Sequence, residues 1–470
     1  MRPAQAARAH PTRTLLPLLL ATLAFSLQQT MILPALPAFQ RAYDVSPTAS
    51  TWLLTAFLLS AAIATPILGR LGDMYGKARL LLIALAVFAA GSAVAAVAGS
   101  FALVLLGRAV QGTGAAIMPL AIGIVRDELP RERVAVAIGL LSAMLGIGGG
   151  AALVLAGPLV DHGGIGWLFW SGCVVSALAA LGTWAYVPES PVRAPARVDL
   201  TGAALLSVWL VALLLAVSEG NHWGWVSPAL VGLFALALIV AALWGAWERR
   251  CAFPLVDLAL MRRREVWTPN AAAAAVGAAM FGSFVLIPQL AQAPASTGYG
   301  FGDNVTAAGL VLLPSAVVML FAGPGAGAMG NRFGARLPLC LGCVSAAVSY
   351  FWFAAFHGAE WELYVGSGFL GLGLGLSLAS LGTIVVQAVP QAQTGIVTAI
   401  NTIARSSGGA VGAQVAATVL TGSRLASGFP AEAGYSTAFA LSGAAALLAW
   451  LAAAITPTRG ATSAKSQLTS

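Results

Sequence analysis

The sequence predicts an all-α integral membrane protein with two six-helix bundles, an inserted helix pair and about fourteen transmembrane helices in all. Composition is the first observation behind this. The chain has 470 residues, 59% hydrophobic and 9% charged, with a mean hydropathy of +0.88. Soluble domains carry about 25% charged residues, and this chain lacks the polar residues to clothe a soluble surface. The length of the apolar runs is the second. They last about twenty residues, enough for a helix to cross the hydrocarbon, rather than the roughly ten alternating residues of a barrel strand. The third is a repeat. Gly69, Gly72 and Gly76 recur as Gly327, Gly330 and Gly334, each pair 258 residues apart, with Tyr75 and Phe333 before the third glycine. Two related halves, each with a tight polar loop after its second helix, account for that register.

Taken in order, the chain opens with a tail, 1–13, holding Arg2, Arg8 and Arg13. The apolar run 14–36 is long enough to span, so it reads as the first helix behind a cytoplasmic N-terminus, with no cleavable signal peptide evident. Runs centred near residues 25, 60, 90, 112, 145 and 176 make an N-terminal bundle over 14–190. Runs centred near 208 and 237 have no repeat partner and form the inserted pair, 191–247. A basic linker, 248–265, leads to runs centred near 280, 314, 346, 374, 408 and 445, a C-terminal bundle over 266–456. The tail, 457–470, is polar and reads as disordered.

Charge tests this count. With an even number of crossings both termini lie on one side. Every Lys and Arg then falls in an inner loop or tail, except Arg41 and Arg424 outside and Arg108 and Arg405 within helices. That is the positive-inside pattern, and it accounts for the net charge of +8 without a nucleic-acid partner. The expectation is a multi-pass protein of a bacterial inner (cytoplasmic) membrane with both termini cytoplasmic. Cys340 and Cys343 have the spacing of half a zinc site, but no partner His or Cys lies near them, and they read as small packing residues. No metal or cofactor is expected. The four histidines fall in predicted tails or outer loops and no nucleophile constellation appears, so the chain does not read as an enzyme. No Gly-rich loop ending in Lys-Ser/Thr is present, so any pumping draws on an ion gradient. The expected partners are protons, a small amphipathic molecule and the lipid bilayer, with the protein a monomer.

The loop Gly69-Arg70-Leu71-Gly72-Asp73-Met74-Tyr75-Gly76-Lys77-Ala78-Arg79 has two readings. As a conformational latch, its glycines allow close approach, Asp73 caps a helix or pairs with a cation, and Lys77 and Arg79 bind helix ends or headgroups. As plain topology, it is a tight inside-positive loop. Gly330, Arg332, Gly334 and Arg336 form the second copy of the latch. The first copy resembles the signature loop of the major facilitator superfamily, G-x-L-(A/G)-D-x-x-G-(R/K)-(R/K). The stretch from Arg108 through Gln111, Gly112 and Gly114 to Ala116 looks like that family's R-x-x-Q-G-x-G-A-A pattern in helix 4. Phe253 to Leu260, Ala308-Gly309-Leu310 with Pro314, and the stretch around Asn401 and Arg405 also match. With about fourteen spans and an unpaired central pair, the chain is similar to the drug:proton antiporter branch. The resemblance implies the major facilitator fold, alternating access and export of drugs or antibiotics by proton antiport, with Arg108 in proton coupling and the latch holding the cytoplasm-closed state.

Two departures bear on that implication. Gln28 stands where many members have an aspartate, and the glycine-rich stretch from Gly146 to Gly150 only partly follows the family's helix-5 antiporter pattern. Every acidic residue falls in or near a predicted loop, so Asp73, Asp127 and Asp161 are the proton-carrier candidates beside Arg108. A mid-helix arginine costs about 2.5–3.5 kcal/mol to insert, so Arg108 faces a polar cavity or is bonded to backbone carbonyls. The candidate cavity lining is Gln28, Gln29, Trp52, Phe57, Gln111, Phe281, Phe284, Gln289, Gln292, Asn401 and Arg405, amides and aromatics suited to an amphipathic molecule. Alternatives are a dedicated metabolite exporter or importer without proton coupling, and a non-transporting membrane sensor or enzyme.

Overall fold

The computed structural model describes residues 11–190, 199–252, 254–422 and 429–457. Most of both predicted tails, with Arg2, Arg8, Arg459 and Lys465, lies outside the described residues, as do Arg193, Arg197, Phe253 and Arg424. The described chain is helical throughout. Its first crossing is α1 (Pro11–Thr30) and α2 (Ile32–Tyr43), offset at Met31. Then come α3 (Pro47–Tyr75), α4 (Lys77–Ala96), α5 (Phe101–Gln111), a 3-10 turn (Gly112–Ala116) and α6 (Ile117–Glu128), α7 (Arg131–Gly163) and α8 (Gly166–Tyr186). The inserted pair is α9 (Leu200–Trp223) and α10 (Pro228–Glu248). After a short α11 (Leu258–Met261) the chain continues as α12 (Arg264–Gln292), a short α13 (Val305–Leu310) leading into α14 (Leu313–Phe333), α15 (Arg336–Ala355), α16 (Glu360–Ala388), α17 (Thr394–Gly422) and α18 (Glu432–Ala454).

Thirteen helical stretches among the described residues are long and apolar enough to cross a membrane. To these α17 adds another helix of 29 residues, less apolar because Asn401, Arg405 and a series of Ser, Thr and Gly interrupt it. Local signals set the starts. Ser46 accepts a bond from Ala49 N–H with Pro47 in the first turn, Ser100 accepts from Leu103, and Ser227 from Leu230. Outward faces carry exposed apolar residues such as Trp184, Leu238 and Phe321, as lipid contact requires.

Leu18, Phe57, Phe88 and Ile117 centre the core of the N-terminal half, and Leu286, Tyr350, Phe353 and Phe439 that of the C-terminal half. Of the inserted pair, α9 lies against α3 and α17, burying Leu206, Leu210 and Leu214 with Ala62 and Val397, and α10 packs on α9. Two seams join the halves. Along α7 the contact with α14 and α13 is continuous, from Gly327 against Ala135, through Gly139 against Gly323, to Gly309 of α13 against Val154. A Cβ on Gly139 would lie 2.2 Å from the Gly323 carbonyl oxygen, so the backbones themselves touch. The other seam, α3 against α17, is tight at Gly69 and Gly395 and then separates around a cleft.

Candidate functional site: a latch, a polar core and a central cleft

The latch forms where α3 ends. Gly76 adopts φ +115°, a conformation a side chain would strain, and this turns the chain sharply into α4. The carboxylate of Glu189 fills the space beside Gly76 and accepts bonds from Ala78 N–H (3.2 Å) and Arg79 N–H (3.0 Å) at the start of α4. The Arg79 side chain itself is exposed. Asp73 is fully buried, and its two oxygens accept from Gly395 N–H (3.0 Å) and Ile396 N–H (3.1 Å), the free donors in the first turn of α17. Lys77, also fully buried, sits 2.8 Å from Asp127 and 3.5 Å from Asp73. Ser190 donates to the same Asp127 oxygen. Arg126 reaches across the halves to the Val389 carbonyl (2.7 Å), the Pro390 carbonyl (3.3 Å) and the Thr394 hydroxyl (2.6 Å). Asp73 and Arg126 thus bind one N-terminal half to the opening of α17.

The second copy is built otherwise. Asn331 occupies the register position of Asp73 and donates to the Glu132 carbonyl on α7 at 2.7 Å. The Arg332 guanidinium lies over its neighbour Phe333, and Arg336 donates to the Ala454 carbonyl within its own half. Gly334 repeats the positive φ, at +85°. Gly330 meets only Ala335 at ordinary contact distance.

Arg108 lies in a polar core inside the N-terminal half. Its Nε donates to the Leu53 carbonyl (3.0 Å), and Nη1 to the Gln28 carbonyl (3.1 Å) and the Gln111 amide oxygen (2.7 Å). The guanidinium sits 4.3 Å from the Phe57 ring centroid. Gln111 then donates to Ser92 (2.7 Å) and Gln28 (3.3 Å), and Gln28 to the Leu168 carbonyl (2.6 Å). Nη2 of Arg108 is buried with no partner among the described residues. Among the described residues no carboxylate bonds to this arginine; its partners are amide and backbone oxygens. The 3-10 turn begins directly after Gln111, where the backbone of Gly112 presses on Phe57 and Ser60 of α3.

Between the halves lies a cleft in two arms. One is bounded by Phe25, Gln29, Thr65, Leu214, Thr402 and Ser406; the other by Ser26, Gln29, Thr30, Phe281, Phe284 and Met319. Gln29 and Arg405 line both. Of the predicted lining, the structure brings Gln29, Phe281, Phe284 and Arg405 together and places the rest outside the two arms. Gln28, Gln111 and Phe57 are fully buried in the N-terminal polar core, because amides in adjacent helices satisfy one another there. Asn401 points to α12 instead, donating to Asn270 at 2.9 Å. Gln289 and Gln292 are exposed at the end of α12, Gln292 bonding back to the Pro288 carbonyl. Trp52 is half-buried in the first turns of α3, outside both arms. Among the proton-carrier candidates, Asp73 and Asp127 belong to the latch, and Asp161 is exposed near the far end of α7.

Glu189 and Arg126 were not singled out from the sequence, and the stretch from Gly395 was matched without a role for its backbone. Arg126 had a signal, an arginine closing a helix before a Pro-bounded turn. The α17 backbone donors had none.

A family model described as Major Facilitator Superfamily matches residues 18–413. A "Multidrug resistance protein Stp" of Mycobacterium tuberculosis (strain CDC 1551 / Oshkosh) is 31% identical over 389 residues, covering 82% of this chain and 71% of that protein. The "Tetracenomycin C resistance and export protein" of Streptomyces glaucescens is 28% identical over 434 residues, covering 91% of this chain and 79% of the relative. Among solved structures, the human organic anion transporter MFSD10 (TETRAN) aligns with a TM-score of 0.69 over 94% of this chain and 99% of its own, at 16% identity, a likeness of fold alone.

Proposed function

The chain belongs to the major facilitator superfamily, and from that premise we propose that it is a bacterial inner-membrane exporter of hydrophobic or amphipathic compounds, driven by proton antiport. Its termini and basic loops face the cytoplasm. The relatives' names, multidrug resistance and antibiotic export, support the substrate class. The observation that carries the reading is the pairing of a closed end with a cleft. Asp73 and Arg126 tie the halves together beside the basic loops, and directly beyond them both halves line a partly polar chamber. Such a closure at one end of a site shared by two halves is what alternating access requires.

In this reading the ionised Asp73 holds α17 in place, and protonation weakens those charge-assisted bonds so that the cytoplasmic side parts. Return of the proton to the cytoplasm restores the latch. Arg108 maintains the geometry of the first crossing and of the 3-10 turn behind the cleft.

A second reading, a dedicated exporter without proton coupling, has one observation in its favour: Arg108 has no carboxylate beside it and the cleft lining is free of acids. Efflux of a panel of dyes and antibiotics from cells making the protein separates the two. Proton antiport predicts loss of efflux on adding a protonophore and at least a tenfold loss in Asp73→Asn. Efflux that ignores the protonophore establishes the uncoupled reading instead.

A further inference from the structure

The two mid-helix arginines differ in one respect. Arg108 is fully buried and bonded to amide and carbonyl oxygens. Arg405 is 7% exposed, lines both arms of the central cleft, and among the described residues has no hydrogen bond or ion pair from its guanidinium. A buried cation without a partner is strongly unfavourable, because desolvation is not offset by any pairing. Every residue lining the two arms is otherwise uncharged. The arginine is also held in place. Its backbone carbonyl packs on Gly277 of α12 so closely that any side chain there would collide with it, which fixes the position of α17.

We infer that Arg405 is the recognition point for an anionic group of the transported compound, so that the substrates are amphipathic organic anions bearing a carboxylate or a phenolate. This rests on the export reading and narrows it. A guanidinium presents a planar fork of donors that matches a carboxylate. The Gln29 amide, shared by both arms, and the Ser406 hydroxyl beside Arg405 supply further donors. Phe281 and Phe284, with ring centroids 6.2 Å apart, border the other side and suit an aromatic or apolar body. The arms are narrow in this conformation and meet at Gln29 and Arg405. Parting of the halves would merge them into one chamber with the cation at its junction. An organic cation placed there would face like charge with no carboxylate to offset it, which penalises it strongly in a low-dielectric site.

The test uses two xanthene dyes of similar size and opposite charge, fluorescein and rhodamine 6G. Binding to the purified full chain in lipid nanodiscs is followed by fluorescence anisotropy near neutral pH, and efflux is measured in parallel in cells. The expected result is at least tenfold tighter binding of fluorescein than of rhodamine 6G. Arg405→Gln should erase that preference and Arg405→Lys should retain part of it. Equal binding, a preference for rhodamine 6G, or a fluorescein affinity within twofold of the parent in a folded Arg405→Gln protein overturns the proposal. The wild-type comparison decides even if the variants fail to fold. Efflux of rhodamine 6G with no fluorescein binding leaves the export reading standing and sinks the anion site. Fluorescein binding without efflux of either dye does the reverse.

Discussion

The two copies of the repeated loop share their glycines and their turn but not their chemistry. The first copy buries Asp73 and Lys77 completely: Lys77 pairs with Asp127 of α6, and Asp73 accepts from the opening of α17. Arg126 and Glu189 bind the turn before α17 and the start of α4 beside them. The second reaches the other half with a neutral bond from Asn331 at the surface, and its Arg336 bonds within its own half. Their seams differ in the same way. Helices α7 and α14 touch along most of their length by backbone packing, whereas α3 and α17 meet tightly only at the latch. A seam held by charge at one point can be released by a proton; a seam packed throughout can only rock. Under the proposed alternating-access reading, the first copy is the gate and the second the pivot.

Removing the central cation breaks the comparison most severely. Lys77→Met leaves Asp127 and Asp73 buried without their ion partner, and breaking a buried pair costs about 3–5 kcal/mol. Thermal melting of the purified protein should fall by several degrees, and yield in the membrane should drop. A melting point unchanged from the parent would mean that water or another group already screens these carboxylates. Asp73→Asn is milder, because Asn keeps one acceptor for the α17 donors but loses the charge. Charge-assisted bonds are worth about 1.5–3 kcal/mol, so the cytoplasm-open population should rise roughly ten- to hundredfold. Maleimide labelling of Thr398→Cys in inside-out vesicles, with Cys173, Cys251, Cys340 and Cys343 replaced, reads this as faster labelling. Unchanged labelling would show that Arg126 alone holds the closure.

The helices were legible in the sequence because a bilayer demands long apolar segments, and their centres fall where the apolar runs place them. The latch loop was legible through its glycines. What Asp73 holds was not, since its partners are backbone N–H groups of Gly395 and Ile396, over 320 residues away and indifferent to residue type. The amides misled for a physical reason. Gln28, Gln111 and Asn401 satisfy other polar groups inside a half, and sequence pattern does not separate a polar core from a polar cavity. Arg405 announced itself as a costly charge within a helix. That no described residue pairs with it needed three dimensions.

The smallest effects sharpen the comparison, because they ask whether the second copy is a latch that has lost its charge. The geometry says it is not. Helix α17 begins at Thr394, so the N–H groups facing Asp73 belong to its first turn and have no partner within the helix. Helix α7 begins at Arg131, and α14 meets it deeper, at Ala135, past most of the free donors. What faces Asn331 there is a carbonyl, that of Glu132. Asn331→Ala should therefore cost no more than about 0.5–1.5 kcal/mol, a neutral bond at an exposed site, and leave Thr398→Cys labelling within about threefold of the parent. Asn331→Asp should do no better than the alanine, since a carboxylate has no proton to offer that carbonyl. If Asn331→Asp instead slowed cytoplasmic labelling, α7 would have to present free donors to it, and the assignment of gate and pivot to separate copies would fall.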